Sequence, residues 1–401
     1  MPGPYNRWYV AVGLGVATIV SYGITQYLFG VLVVPIQHDL GASRAAVSGA
    51  FSGSVAVWGL LGVPVGRLVD RYGARWLMTA GSLLGAGSLF GLARIHTLWQ
   101  LYLLWSGGLG LAMALTLYSV TFTVIANFFV ARRGTALAVL TTIGGLSSPI
   151  YIPASGWLVA HLGWRHSLDV LALTVLLVAL PIHALVVRRP PAAAVLEGTP
   201  LGHALRGRVF WLLTLAAGLS LMAATVVFAH AVAFLISRSY PAVTAAGLVG
   251  LVGLASLPGR FVFNVVSDRF GPQGLLALCT FLQGVGLVAL LMAGPSIWVF
   301  AFVAVYGLAF GAISPLRAAV NAEHFGRRAY GAITGAQNLP TQLLSAVGPL
   351  LAGYLYDVLG NYHVAFSLTA GAFFAAALLI LLTPRAESAG QLGVEKAAGS
   401  L

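Results

Sequence analysis

The chain has 401 residues, 59% of them hydrophobic and only 7% charged, too little polar side chain to clothe a water-soluble globule of that length. Its net charge of +12 raises the question of nucleic acid, but the basic residues build no aromatic-interleaved groove or stripe on a soluble domain, which argues against that partner. A single cysteine, Cys279, excludes an internal disulfide and a cysteine metal cluster. With so little charge the expected solvent is lipid and the expected class all-α, because open strands leave backbone groups unpaired in hydrocarbon.

Apolar runs of about eighteen residues or more recur, each long enough at about 1.5 Å per residue to cross a hydrocarbon core of roughly 30 Å. They predict twelve transmembrane helices near 8–34, 45–69, 75–93, 98–126, 134–160, 165–187, 210–236, 245–267, 273–293, 297–321, 330–356 and 363–383. The first runs past signal-peptide length with no small-residue cleavage site behind it, so it reads as a spanning anchor. The longest polar interruption, Arg188 to Arg208, opens on Arg188-Arg189-Pro190-Pro191 and divides six spans from six. The expected organisation is a six-helix bundle over 1–187, a cytoplasmic linker over 188–209, a second bundle over 210–384 and a disordered cytoplasmic tail over 385–401. Gly202 to Trp211 could form a short amphipathic helix on the membrane surface.

An internal repeat supports the division independently of hydropathy. Val69-Asp70-Arg71-Tyr72-Gly73 after the second span matches Ser267-Asp268-Arg269-Phe270-Gly271 after the eighth, at an offset of 198. Arg132-Arg133 matches Arg327-Arg328 at 195, and Gly156-Trp157-Leu158 matches Gly353-Tyr354-Leu355 at 197. Two equivalent, pseudo-symmetric bundles imply a site at their interface near the midplane, reached from alternate sides as one half rocks against the other.

Twenty of the 21 basic residues are Arg. With both termini cytoplasmic, fifteen Arg and Lys fall in cytoplasmic segments, four (Arg44, Arg94, Arg165 and Arg238) fall outside, and Arg260 and Arg317 lie within helices. This asymmetry places a multi-pass chain in a cell membrane, with a bacterial inner membrane expected.

The run Gly62-Val63-Pro64-Val65-Gly66-Arg67-Leu68-Val69-Asp70-Arg71-Tyr72-Gly73-Ala74-Arg75 resembles the loop signature of the major facilitator superfamily, and the resemblance covers essentially the whole chain. Within it, Leu40 to Ser48, Phe128 to Ala136, Gly163-Trp164-Arg165, the eighth-span arginine and Phe325-Gly326-Arg327-Arg328 resemble the monocarboxylate transporter and oxalate:formate exchanger group. That resemblance implies transport of small organic anions, often with a proton or in exchange for another carboxylate. The chain departs from the group at Ser256, where proton-coupled members often carry an acid, and in Tyr22 to Tyr27, which lacks a basic residue. The eleventh span offers Gln337, Asn338 and Gln342 in place of a lysine. One fixed positive charge rather than two favours a monoanion.

Arg260 stands eight residues inside the Asp268 loop, about 12 Å into the membrane. Burial there costs roughly 2.5 to 3.5 kcal/mol, and its planar fork suits a carboxylate; a structural arginine, snorkelling or bonded to helix carbonyls, is the alternative. Tyr118 lies at similar depth and could donate to the same anion, or could be a packed amphipathic residue. Gln26, Tyr27, Tyr306, Gln337 and Asn338 are further midplane candidates for substrate contact. His230 could carry a proton in place of the absent acid, or be a satisfied structural histidine. Gly66, Asp70, Arg71, Arg132, Arg133, Asp268, Arg269 and Arg317 are candidates for a cytoplasmic gate whose ion network latches one conformation. Pro149, Pro153, Pro340 and Pro349 bend the fifth and eleventh spans, as rocking hinges or as packing kinks.

The expected function is therefore secondary transport of a small organic anion by a monomer, with a proton as candidate co-substrate and without cofactor or metal. A neutral or amphipathic solute on the same fold is the alternative. A remoter one is a membrane enzyme with a metal held by His161, His166 and Asp169. The chain contains no Walker phosphate loop, which disfavours ATP-driven pumping.

Overall fold

A computed structural model describes residues 7–129, 133–187, 201–293, 296–326 and 330–385. We number the spans α1 (Arg7–Leu40), α2 (Arg44–Tyr72), α3 (Ala74–Leu92), α4 (98–128), α5 (133–162), α6 (164–186), α7 (Arg208–Ser237), α8 (Ala242–Phe270), α9 (Pro272–Leu291), α10 (Ser296–Phe325), α11 (Tyr330–Leu359) and α12 (His363–Leu382). Ten helical runs among the described residues are long and apolar enough to cross a bilayer, and one of them, of 52 residues, carries both α5 and α6. Gly163, at φ 74°, breaks it in two, since a residue with a Cβ is strained in that backbone conformation. The twelfth span, α3, is diluted by four glycines and two serines, small residues that let helices approach closely in lipid.

The two halves repeat one another in backbone as well as in sequence. Positive φ occurs at Gly41 and Ser239, at Gly73 and Gly271, and at Gly163 and Gly360, each pair 197 or 198 residues apart. Helix ends, where the chain must turn sharply between antiparallel spans, therefore fall in equivalent places. Between the halves, α2 lies along α11 and α5 along α8, pairings that exchange when the halves are swapped, and α1 meets α7. The last contact is close, for a Cβ on Gly30 would collide with the Phe228 carbonyl. Large apolar side chains such as Leu177, Ile297 and Leu381 point outward, as expected of a surface bathed in lipid rather than water.

Contact between the halves is tight at the end that carries Arg44. There a Cβ on Gly353 would stand 2.9 Å from the Arg44 carbonyl, and the Leu350 N–H donates to Ser52 Oγ at 3.0 Å. Along α5, Pro149 lies against Gly253 and Pro153 against Gly250 of α8, so both prolines serve the interface. Toward the Gly73 end the helices part: a Cβ on Gly62 would be 3.7 Å from Asn338 Nδ2, and one on Gly66 would meet nothing within 4 Å.

Of the expected linker, 188–200 lie outside the described residues. Leu201–Ala204 forms one helical turn, and Trp211 Nε1 donates to the Leu205 carbonyl at 2.9 Å as the chain enters α7. The expected tail is described only as far as Arg385. Several ends differ from the apolar runs. Helix α1 continues six residues past its expected end, because Ile36 packs in the core and Gly41, in the left-handed conformation, is what terminates the helix.

Candidate functional site

Among the described residues, regular α geometry is lost beside candidate residues in α1, α4 and α5. In α1, Gly23–Tyr27 forms a π turn that contains Gln26 and Tyr27. In α4, Leu117 is extended (φ −83°, ψ −171°) and the helix restarts at Tyr118. In α5 the helix gives way at Gly145 and Leu146, where Pro149 has no N–H to offer the Gly145 carbonyl. Irregular backbone at membrane depth is tolerated where it lines a cavity or is buried in protein, and π turns cluster at functional sites.

Arg260 reaches from α8 across the interface to the break in α5. Close backbone contacts fix its helix against α10, with Gly259 on the Leu308 carbonyl and Gly311 on the Ser256 carbonyl. Its Nη1 donates to the Thr141 carbonyl, and the guanidinium lies over Gly145, where a Cβ would come within 2.7 Å of Cζ. Nε is buried and has no hydrogen-bond partner. One nitrogen therefore anchors the side chain to the opposite half, while another keeps a donor in reserve. An unpaired buried donor on a charged group is costly, by about 1 to 3 kcal/mol or more.

Tyr118 and Tyr27 both lie within electrostatic reach of Arg260. The Tyr118 hydroxyl would stand 3.0 Å from a Cβ on Gly144, and its ring lies 4.7 Å from Tyr22 and 4.6 Å from Phe122. Tyr27 meets Phe228 at 5.0 Å, and Phe228 meets Tyr306 at 6.5 Å, so an aromatic wall runs from α1 through α7 to α10. Gln26 Nε2 and the Tyr306 hydroxyl are buried without hydrogen-bond partners. Arg260, Tyr27 and Tyr118 thus come together, Gln26 shares the π turn with Tyr27, and Tyr306 joins through Phe228.

The other sequence candidates lie elsewhere. Asn338 faces Gly62 of α2. Gln337 turns into the second half and accepts from Asn321 Nδ2 at 2.9 Å, beside a small cavity that also touches Ser220, Gln283, Phe310 and Arg317. Arg317 acts electrostatically on Tyr22, which places it toward the interface between the halves. His230 is fully buried at the Arg44 end. Arg71 is exposed, with Cζ 5.2 Å from the Tyr72 ring. Arg132, and the side chains of Asp70, Arg133, Asp268 and Arg269, lie outside the described residues. His161, His166 and Asp169 do not assemble: Asp169 pairs with Arg94 at 2.8 Å, and His161 Nδ1 bonds the Trp157 carbonyl. No group of three potential metal ligands occurs among the described residues.

Sequence reasoning missed Tyr22, Thr141 and the role of Gly145. A Gly-Gly pair followed four residues later by proline was the available signal for the α5 break; the carbonyl that accepts from Arg260 left none.

The family model described as Major Facilitator Superfamily matches residues 14–339 and 254–401. Monocarboxylate transporter 13 of Bos taurus is 29% identical over 382 residues, covering 94% of this chain and 88% of that protein. An MFS-type efflux pump of Mycolicibacterium smegmatis is 29% identical over 205 residues, covering 50% of this chain and 47% of the pump. Among solved structures, that of the nucleoside transporter NupG superposes with a TM-score of 0.73 at 14% identity, covering 93% of this chain and 99% of that one.

Proposed function

The chain belongs to the major facilitator superfamily, and we propose that within it the protein is a secondary transporter of small organic anions, foremost monocarboxylates of lactate or pyruvate size. The observation that carries this reading is the state of the Arg260 guanidinium, anchored at Nη1 by Thr141 and unpaired at Nε. A carboxylate arriving on the Nε side completes its donors with a charge-assisted bond, and the Tyr27 and Tyr118 hydroxyls flank it. The likeness to monocarboxylate transporter 13 supports the same substrate class.

Alternating access follows from the anchor. Arg260 belongs to the second half and Thr141 to the first, so a bound anion competes with, or reinforces, a contact that spans the moving interface. The fifteen-to-four Arg and Lys asymmetry supports an orientation with the Gly73 end and both termini in the cytoplasm. In that orientation the described conformation is closed outside and parted inside.

A thermal-shift screen of the purified protein against mono- and dicarboxylates, nucleosides and sugars tests the proposal. Stabilisation by monocarboxylates alone is the expected result, because a ligand stabilises the state that binds it. Stabilisation only by neutral solutes overturns the anion assignment.

A further inference from the structure

We propose that Arg44, Tyr362 and His230 form a proton-sensitive latch that holds the Arg44 end of the transporter shut, released when His230 takes up a proton. The latch joins α2 of the first half to α7, α11 and the α11–α12 turn of the second. Asp357 of α11 accepts the backbone N–H of Arg44 at 2.8 Å and of Ala45 at 2.6 Å. It thereby pairs two of the donors that the first turn of α2 cannot satisfy itself, and sets a negative charge at that helix's positive end. The Arg44 side chain is 5% exposed. Its Nε donates to Gln37 Oε1 at 2.6 Å and its Nη1 to the Tyr362 hydroxyl at 2.8 Å, with Cζ 4.8 Å from the Tyr356 ring.

His230 completes the chain. Nε2 lies 3.0 Å from the Pro349 carbonyl and Nδ1 lies 3.2 Å from the Tyr362 hydroxyl. A carbonyl only accepts, so Nε2 carries the hydrogen of the neutral ring. Tyr362 already accepts from Arg44, and its one O–H is directed to Nδ1. The relay therefore runs Arg44 Nη1–H to Tyr362, Tyr362 O–H to His230 Nδ1, and His230 Nε2–H to Pro349. Each member is satisfied only while His230 is neutral.

Protonation at Nδ1 places an N–H against Tyr362 and strips the tyrosine O–H of its acceptor. It also adds a second positive charge to a site already holding one. The groups that face the ring are Ser48 of α2, with Oγ 3.4 Å from Nε2, Arg44 beyond it, Pro349 and Asp357 of α11, and Tyr362 of the turn. Asp357 is the one anion among them, and its two oxygens are taken by backbone donors. The imidazolium is accommodated by parting the halves at this end, where water solvates it. Acid on that side opens it. The inference is independent of which solute Arg260 takes.

The test replaces Cys279 with Ser, places spin labels at Ala42→Cys and Asn361→Cys, and reads their separation in lipid nanodiscs between about pH 8 and about pH 5. In this background the long-distance population is expected to rise about threefold or more on acidification, the rise setting in only below the ordinary histidine value of about 6.5, because the open state must take up the proton to be favoured. His230→Gln, which keeps one donor and one acceptor but cannot take the proton, is expected to stay short at both extremes. Tyr362→Phe, which cuts the relay, is expected to be long at both. If His230→Gln does not fold, Tyr362→Phe alone decides, because an intact acid response without the hydroxyl contradicts the relay. An unchanged acid response in His230→Gln, its loss in Asp357→Asn but not in His230→Gln, or no response in the parent background overturns the proposal.

Discussion

Gly145→Ala is the sharpest small perturbation of the site. The backbone at Gly145 has no positive φ, so alanine is conformationally admissible and the substitution acts through space. Its Cβ would stand 2.7 Å from Cζ and Nη2 of Arg260 and 2.8 Å from Nη1, about 1 Å inside the usual separation of roughly 3.5 to 4.0 Å. The Gly145 backbone belongs to α5, so the guanidinium must yield, and it cannot do so while Nη1 holds the Thr141 carbonyl. Overpacking of this kind costs about 1 to 3 kcal/mol. If the anion-bound state needs the guanidinium in place, affinity falls by about fivefold to 150-fold. Titration calorimetry of monocarboxylate binding reads the change, with Gly371→Ala, where a Cβ meets nothing within 4 Å, as control. Affinity within twofold of the parent protein would refute the idea that the guanidinium's position over Gly145 matters for binding.

Three further outcomes are expected. Gly311→Ala should reduce folded yield and apparent melting temperature, because its Cβ would collide with the Ser256 carbonyl, a backbone group that cannot turn away; Gly247→Ala, in open space, should not. Reporter fusions at the amino terminus, within 188–208 and at the carboxyl terminus should all read cytoplasmic, and a periplasmic signal from the middle site would break the six-plus-six topology. Asp70→Asn and Asp268→Asn should shift the balance of inward- and outward-open states in accessibility labelling from both faces, and unchanged labelling in both would remove the cytoplasmic latch.

The helices were legible because the bilayer imposes one strong rule, an apolar run of fixed length, and the repeat was legible because the turns at Gly73 and Gly271 demand the same backbone. Arg260 was legible for a related reason, since a charge at that depth needs an explanation. What surrounds it was not. A π turn over Gly23–Tyr27 carries no residue signature of its own, and the extended Leu117 sits within the fourth apolar span with no Gly or Pro beside it to mark a break. Gln337 and Asn338 looked equivalent in sequence, yet neighbouring positions on a helix point about 100° apart. One pairs with Asn321 while the other faces α2. Arg44 read as a loop charge because its partners, Asp357 and Tyr362, are more than three hundred residues away. Contacts of that range are set by how the halves dock, which local pattern does not encode.

Binding measured on folded, membrane-inserted Arg260→Lys and Arg260→Gln tests most directly whether the Arg260 guanidinium receives a carboxylate. Lysine keeps the charge but loses the planar fork, and glutamine loses both. Loss of a buried charged partner is worth about 2 to 5 kcal/mol, or roughly thirtyfold to several-thousandfold in affinity. The expected result is severe weakening in the lysine variant and no detectable monocarboxylate binding in the glutamine variant, with uptake into proteoliposomes lost in parallel. Parent-like binding and uptake by Arg260→Gln would make Arg260 a structural tie between α8 and α5 and contradict the organic-anion assignment.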